Sequence, residues 1–212
     1  MKTILGIGGS VIKTAYDEIR ELARRKHIDV LVVNGGALFH DFQRSTEKLD
    51  SHSHSLDDLL ANYNLDEPAS KLVWHWLRGG SFPPDGSLLK ICSDNEIDIL
   101  FFTAPGVDFF HLFGDVKDWE LLGRIMFYDY KLLCDHMRNP FHYINMGSAV
   151  ILPEVFIKAV AQVKPEKFTT TVVDFLPNQY RPLTRVAKYG SYVCSDHKQF
   201  LSRWLELGKA PS

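Results

Sequence analysis

The stretch Ile28–Phe42, IDVLVVNGGALFHDF, decides the fold. Asp29–Val33 (DVLVV) is a strand, β-branched and apolar on both faces. A strand with no polar face belongs to a parallel sheet covered by helices on both sides. It ends abruptly in Asn34-Gly35-Gly36, and an apolar pattern resumes at once. Working outward, the same grammar recurs. Thr3–Ile7 is a short apolar strand closed by glycines. Ile12–Lys26 follows as a helix, with Ile12, Ala15, Ile19, Leu22 and Ala23 on one face. Ile97–Thr103, Phe141–Asn145 and Thr169–Phe175 read as further strands, and Ser191–Cys194 as a short edge strand. Between them the spacing predicts a long helix over Trp119–Met137 with Asp118 as N-cap. It also predicts a helix over Pro153–Val163, with proline in the first turn, and a closing helix over Gln199–Leu207. Strand–helix alternation implies βαβ units with right-handed crossovers, so the expected class is a doubly wound, Rossmann-like α/β parallel sheet.

The chain has 212 residues, which fits a single domain over 1–212. Residues 43–95 differ in character, with polar runs, helical patterns near Leu56–Asn62 and Pro68–Leu77, and the turn-rich GGSFPPDG. They read as a helical insertion. A hydrophobic share of 45% and a charged share of 24% exclude a disordered chain, a collagen and a coiled-coil rod. The formal charge is -2, so no bulk basic field draws nucleic acid or an anionic membrane. No run reaches the about 18 apolar residues of a membrane span. The apolar start, broken by Gly6, Gly8 and Gly9, is too short for a secretory leader. Cys92, Cys134 and Cys194 are odd in number and far apart, which points to a reducing cytoplasm.

Four strands run into small, polar or glycine-bearing segments: Gly6–Ser10, Asn34–Gly36, Thr103–Gly106 and Asn145–Ser148. In a parallel sheet all four lie at the carboxyl edge, where open α/β folds bind ligands. Glycines admit a phosphate close to backbone N–H groups, and helix N-termini favour the anion. The pattern therefore points to a nucleotide or another phosphate-bearing ligand, cradled by Gly8, Gly9, Ser10, Asn34, Gly35, Gly36, Gly147 and Ser148. GIGGSVIKT is neither a Walker A sequence nor a complete GxGxxG, because Val11 takes the last position. The second strand ends in Asn34, without the usual ribose-binding carboxylate. Candidate acid–base residues are His40 and Asp41 after the second segment, His111 after the third and Asp174 at the end of the fifth strand. Asp108 and Phe109 (VDFFHLF) offer a carboxylate and an aromatic face to a cationic substrate. His52 and His54 in SHSHS form an HxH pair whose further metal ligands are not identifiable, so no metal is assigned. No Gly-x-Ser-x-Gly elbow is present.

GGSVIKT, IDVLVVNGGALFHDF, NMGSAVILPEVFIKA, FTTTVVDF, YRPLTR and SDHKQFL occur in one order. Together they resemble the bacterial deoxyhypusine synthase-like family, over most of the chain apart from Gln43–Asn95. The resemblance implies NAD as cofactor at the glycine segments, an amine or polyamine-like substrate, and a homodimer or homotetramer. Members of this type carry an imine-forming lysine in the stretch that corresponds to MGSAVILPE. Here Ile151 and Leu152 occupy that region. Two further readings follow: a non-catalytic nucleotide-binding or regulatory subunit, and, from His40, His52 and His54, a metal-dependent hydrolase.

Overall fold

A computed structural model describes residues 1–47, 73, 75–80, 83–107 and 115–211. Six parallel strands form one sheet: β1 (Lys2–Ile7), β2 (Val30–Asn34), β3 (Asp98–Phe102), β4 (Phe141–Met146), β5 (Phe168–Asp174) and β6 (Gly190–Cys194). Their order is β3-β2-β1-β4-β5-β6, that of the doubly wound Rossmann-like fold. The order reverses between β1 and β4, which pair in register from Lys2–Phe141 to Ile7–Met146.

Both faces of the sheet are apolar because successive side chains alternate. Leu5, Ile7, Leu31, Val33, Phe101, Ile144, Met146 and Val173 enter one core. That core receives α1 (Gly9–Thr14), α2 (Tyr16–Arg24), α3 (Gly35–Glu47), α4 (Leu88–Asp94) and α7 (His197–Leu207). Ile4, Val30, Val32, Leu100, Phe102, Phe141, Tyr143 and Val172 enter the other, which α6 (Ile151–Val163) covers.

The long helix α5 (Val116–His136) joins the two layers. Leu122 near its start packs in the first core, and Leu133 and Cys134 near its end pack in the second. Between them it crosses the outer edge of β3. There Asp129 Oδ2 accepts the Phe101 N–H at 2.7 Å and Met126 Sδ accepts the Thr103 N–H at 3.3 Å. Edge N–H groups that would otherwise invite a foreign strand are thereby occupied. Burial pushes the Asp129 carboxyl up to about 6, against the stabilising Phe101 hydrogen bond. The folded state holds this proton more tightly than the unfolded one. Its contribution to stability is therefore complete below the ordinary carboxylate range and lost as pH rises through about 6. Asp129→Asn keeps an acceptor for Phe101 and removes the charge. It should stabilise the protein at pH 8 by about 1–2 kcal/mol and flatten the decline between pH 4 and 7, as read by urea denaturation across that range.

Several predicted boundaries shift. The helix expected over Ile12–Lys26 is two helices. Ala15 breaks it at φ -142° and ψ 41°, and the turn lets the Tyr16 hydroxyl reach Asp41 at 2.7 Å. The helix expected from Trp119 starts at Val116, because Asp115 and not Asp118 caps it, accepting the Lys117 N–H at 2.9 Å. Asp118 is instead buried and paired with Arg78. Asn34-Gly35-Gly36, expected as a loop, passes directly into α3, and Asn34 Oδ1 accepts the Ala37 N–H at 2.9 Å. Of the stretch 43–95, the described parts are the end of α3, helical residues 73 and 75–77 with the turn at 78–80, the turn at 83–87, and α4 onward. The helix expected near Leu56–Asn62 and the SHSHS histidines lie outside the described residues, as do Asp108, Phe109 and His111.

Candidate functional site

The carboxyl edge at the β1/β4 switch gathers Gly8, Ser10, Gly147, Ser148, Asp174 and His197. The Gly8 N–H donates to Met146 O at 2.9 Å, and Ser10 Oγ donates to Gly147 O at 3.4 Å. The approach is close enough to exclude side chains. A Cβ on Gly8 would stand 1.9 Å from Gly147 O. Gly147 has φ +61°, and a Cβ there would stand 2.3 Å from Ser10 Oγ and 3.0 Å from His197 Cε1. These two glycines join the loops after β1 and β4. Gly9 and Gly36 have a different use: a Cβ on Gly9 would lie 3.0 Å from His40 Cδ2 and 3.1 Å from the Gly36 carbonyl carbon. They let α1 lie against α3.

Three buried polar atoms at or just beyond the strand ends have no hydrogen-bond partner among the described residues: Thr103 Oγ1, Asn145 Oδ1 and His197 Nε2. Leaving such an atom unsatisfied costs about 1–3 kcal/mol, so each is a point where a water or a ligand can supply the missing partner. Asn145, the last residue but one of β4, is fully buried, with its amide N–H donated to Ser148 O at 2.9 Å. Ser148 Oγ in turn accepts the Leu152 N–H at 3.4 Å in the first turn of α6. His197 opens α7 just after the Asp196 cap and is 2% exposed. The Phe175 ring meets it edge-on at 5.8 Å. Burial holds the His197 imidazole below its ordinary range, against the opposing charges of Asp174 and Asp196. It is therefore neutral near pH 7. Asp174, also buried, accepts the Leu176 N–H at 3.1 Å.

His40 and Asp41 stand on α3. His40 Nδ1 lies 3.1 Å from Gln43 Oε1, and burial, together with the charge of Lys13, pushes its imidazole down to about 4. Asp41 points into the first core. Its carboxylate accepts the Tyr16 hydroxyl at 2.7 Å, the Leu88 N–H at 2.7 Å and the Leu89 N–H at 3.0 Å. Asp41 thus holds the start of α4 and does not meet the group at the β1/β4 switch. Among the described residues no group of three or more His, Cys, Asp or Glu side chains is placed to hold a metal ion. No helix of the described residues is long and apolar enough to cross a membrane.

Sequence reasoning passed over His197, Asn145 and Thr103 as site residues. Asn145 carried a signal: it is a polar residue in step with the inward-facing Phe141 and Tyr143 of the same strand. His197 carried none, since its place depends on how α7 docks.

No protein-family model and no curated protein sequence matches the chain. Solved structures do share its fold. The protein AgrE, in ternary complex with ornithine and NAD+, matches with a TM-score of 0.67 at 16% identity, over 97% of this chain and 30% of AgrE. ArgZ, an arginine dihydrolase from the ornithine–ammonia cycle in cyanobacteria, matches with a TM-score of 0.60 at 18% identity, over 97% of this chain and 29% of ArgZ. A putative deoxyhypusine synthase from Entamoeba histolytica matches more loosely, with a TM-score of 0.51 at 11% identity, over 98% of this chain and 74% of that one. The chain spans less than a third of the length of AgrE and ArgZ. What fold and comparison establish together is a class: a six-stranded, all-parallel, Rossmann-like α/β protein.

Proposed function

We propose that the protein binds a nicotinamide adenine dinucleotide at the carboxyl edge of its sheet and acts on a small amine or amino-acid-like substrate. The observation that carries the reading is the set of buried, unpartnered polar atoms at strand ends, two of them, on Asn145 and His197, beside the β1/β4 switch. Rossmann-like folds bind dinucleotides at that place. The ornithine and NAD+ held by AgrE support the pairing of cofactor and substrate class.

In this reading the loops Gly8–Ser10 and Gly147–Ser148 set the floor of the site. Asn145 Oδ1 accepts a ligand hydroxyl or N–H. His197, neutral near pH 7, gives or takes one hydrogen bond at Nε2, and Asp174 supplies negative charge beside it. A bound dinucleotide supplies hydride chemistry. His40, His111, Asp108 and Phe109 complete the proposed set on the substrate side, and Asp41 supports it from below. Assembly as a homodimer or homotetramer in the cytoplasm belongs to the same proposal.

Isothermal titration tests it. A nicotinamide dinucleotide, oxidised or reduced, should bind with one site per chain. His197→Ala should weaken binding about tenfold, the worth of one good hydrogen bond. Absence of binding by every nicotinamide dinucleotide tested would sink the reading. A second reading, nucleotide binding without turnover, is favoured by Ile151 and Leu152 standing where the resembled family has its lysine. Dinucleotide binding with no change in nicotinamide absorbance on incubation with amines would select it.

A further inference from the structure

The second core keeps a polar pair that the fold itself does not use. Asn145 is its first member. Its Nδ2 donates to Ser148 O at 2.9 Å, and a carbonyl only accepts, so the orientation of the amide is fixed. The atom left over is Oδ1, a sealed acceptor without a partner among the described residues. Tyr143 is the second member, two residues earlier on the same strand and therefore on the same face. Its ring stacks on Phe156 at 4.3 Å and 22°, and the residue is 1% exposed. Among the described residues its hydroxyl has no hydrogen-bond partner. Burial alone pushes the phenol up, so it stays protonated and is ready to donate.

Strand register brings the two together. Tyr143 pairs with Ile4, and Asn145 pairs with Gly6. The Tyr143 side chain leans toward the carboxyl edge, because a Cβ on Gly6 would stand 2.7 Å from its hydroxyl oxygen. The hydroxyl therefore lies over Gly6, at the level of Asn145 and roughly one strand spacing to its side. The rest of that level is apolar. Val32 lies beside Gly6, Val172 beside Asn145, and Leu152 Cδ1 stands 3.3 Å from the same Cβ position. One acceptor and one donor thus stand side by side in an apolar wall next to the β1/β4 switch. They match a ligand group that carries an N–H and a carbonyl oxygen on one carbon, which is a primary carboxamide. A carboxylate has no N–H to give and would set its charge against Asn145 Oδ1.

We infer that Asn145 and Tyr143 read the carboxamide of the nicotinamide ring, whose N–H donates to Asn145 Oδ1 and whose carbonyl accepts the Tyr143 hydroxyl. The inference rests on the dinucleotide site proposed above and adds which end of the cofactor lies at β4.

Titration of the full chain with NAD+, nicotinic acid adenine dinucleotide and ADP-ribose tests this. The second ligand carries a carboxylate in place of the carboxamide, and the third lacks the ring. NAD+ should bind at least tenfold more tightly than the acid analogue, a comparison that needs no variant. Tyr143→Phe should weaken NAD+ about tenfold and ADP-ribose less than twofold. The substitution removes a hydroxyl that serves no partner in the fold, so urea denaturation of the free variant should match the parent. Equal affinities for NAD+ and the acid analogue, or an equal loss of NAD+ and ADP-ribose in Tyr143→Phe, would overturn the inference. Either result would leave the pair to a buried water and the nucleotide site standing. Failure of all three ligands to bind would overturn the site itself and the inference with it.

Discussion

Gly8→Ala should leave little folded protein. The Gly8 backbone has φ -97° and ψ 172°, an extended conformation that any residue adopts, so conformational strain plays no part. What forbids alanine is contact. Its Cβ would stand 1.9 Å from the Gly147 carbonyl oxygen, and neither partner is a flexible side chain that can step aside. Relief requires the loops after β1 and β4 to separate, which breaks the hydrogen bond from the Gly8 N–H to Met146 O and exposes the buried His197 behind it. A loss on the order of 3–5 kcal/mol is expected, a large share of the stability of a domain this size. Gly9→Ala is the control. It meets His40 Cδ2 at 3.0 Å and the Gly36 carbonyl carbon at 3.1 Å, so a shift of a few tenths of an ångström accommodates it. Urea denaturation of the two variants should rank them clearly. Equal stability would show that the loops part freely.

Asp41→Ala should be comparably damaging for a different reason. The carboxylate is 1% exposed and serves three donors. Removing it leaves the Tyr16 hydroxyl and the first two N–H groups of α4 without acceptors inside the first core. A cost of about 3–5 kcal/mol follows. Burial raises the Asp41 carboxyl above the ordinary range, although the three hydrogen bonds oppose the shift. Asp41→Asn, which retains one acceptor, should therefore lose less. The asparagine variant also separates two uses of the residue. If Asp41 acts through the fold, dinucleotide affinity survives in Asp41→Asn while the melting temperature falls. A loss of binding at unchanged stability would place it in contact with the ligand.

Much of the fold was legible because strands buried on both faces announce themselves. VLVV, ILFF and TTVVD need no tertiary information to be read as buried parallel strands, although ILFF proves to be the sheet's margin, and the strand-ending glycines mark the carboxyl edge. Helix breaks were less legible. Nothing in the composition of Ile12–Lys26 marks Ala15, a strong helix former, as the break. The break coincides with a tertiary bond that no local propensity encodes, between Tyr16 and Asp41. The glycines were legible as special, yet their reason was not. Sequence alone cannot distinguish a glycine that admits a phosphate from one that admits another backbone. Gly8 and Gly147 prove to meet each other, and Gly9 and Gly36 prove to bring two helices together. Asp41 followed a glycine segment and had the chemistry of a catalytic acid. Its helical phase, one residue on from His40, turns it inward instead. His197 is the converse case, a residue 50 positions beyond Gly147 in sequence that the docking of α7 sets against it.

The two margins of the sheet are unequally defended. Along β3 the crossing helix occupies the Phe101 and Thr103 N–H groups with Asp129 and Met126. β6 is the other flank, a five-residue strand, GSYVC, with no proline or charge within it and only partial shelter. Insertional engineering should respect this asymmetry. A peptide grafted to extend the sheet should dock beside Tyr192, on the side where no crossing helix of the described residues caps the strand.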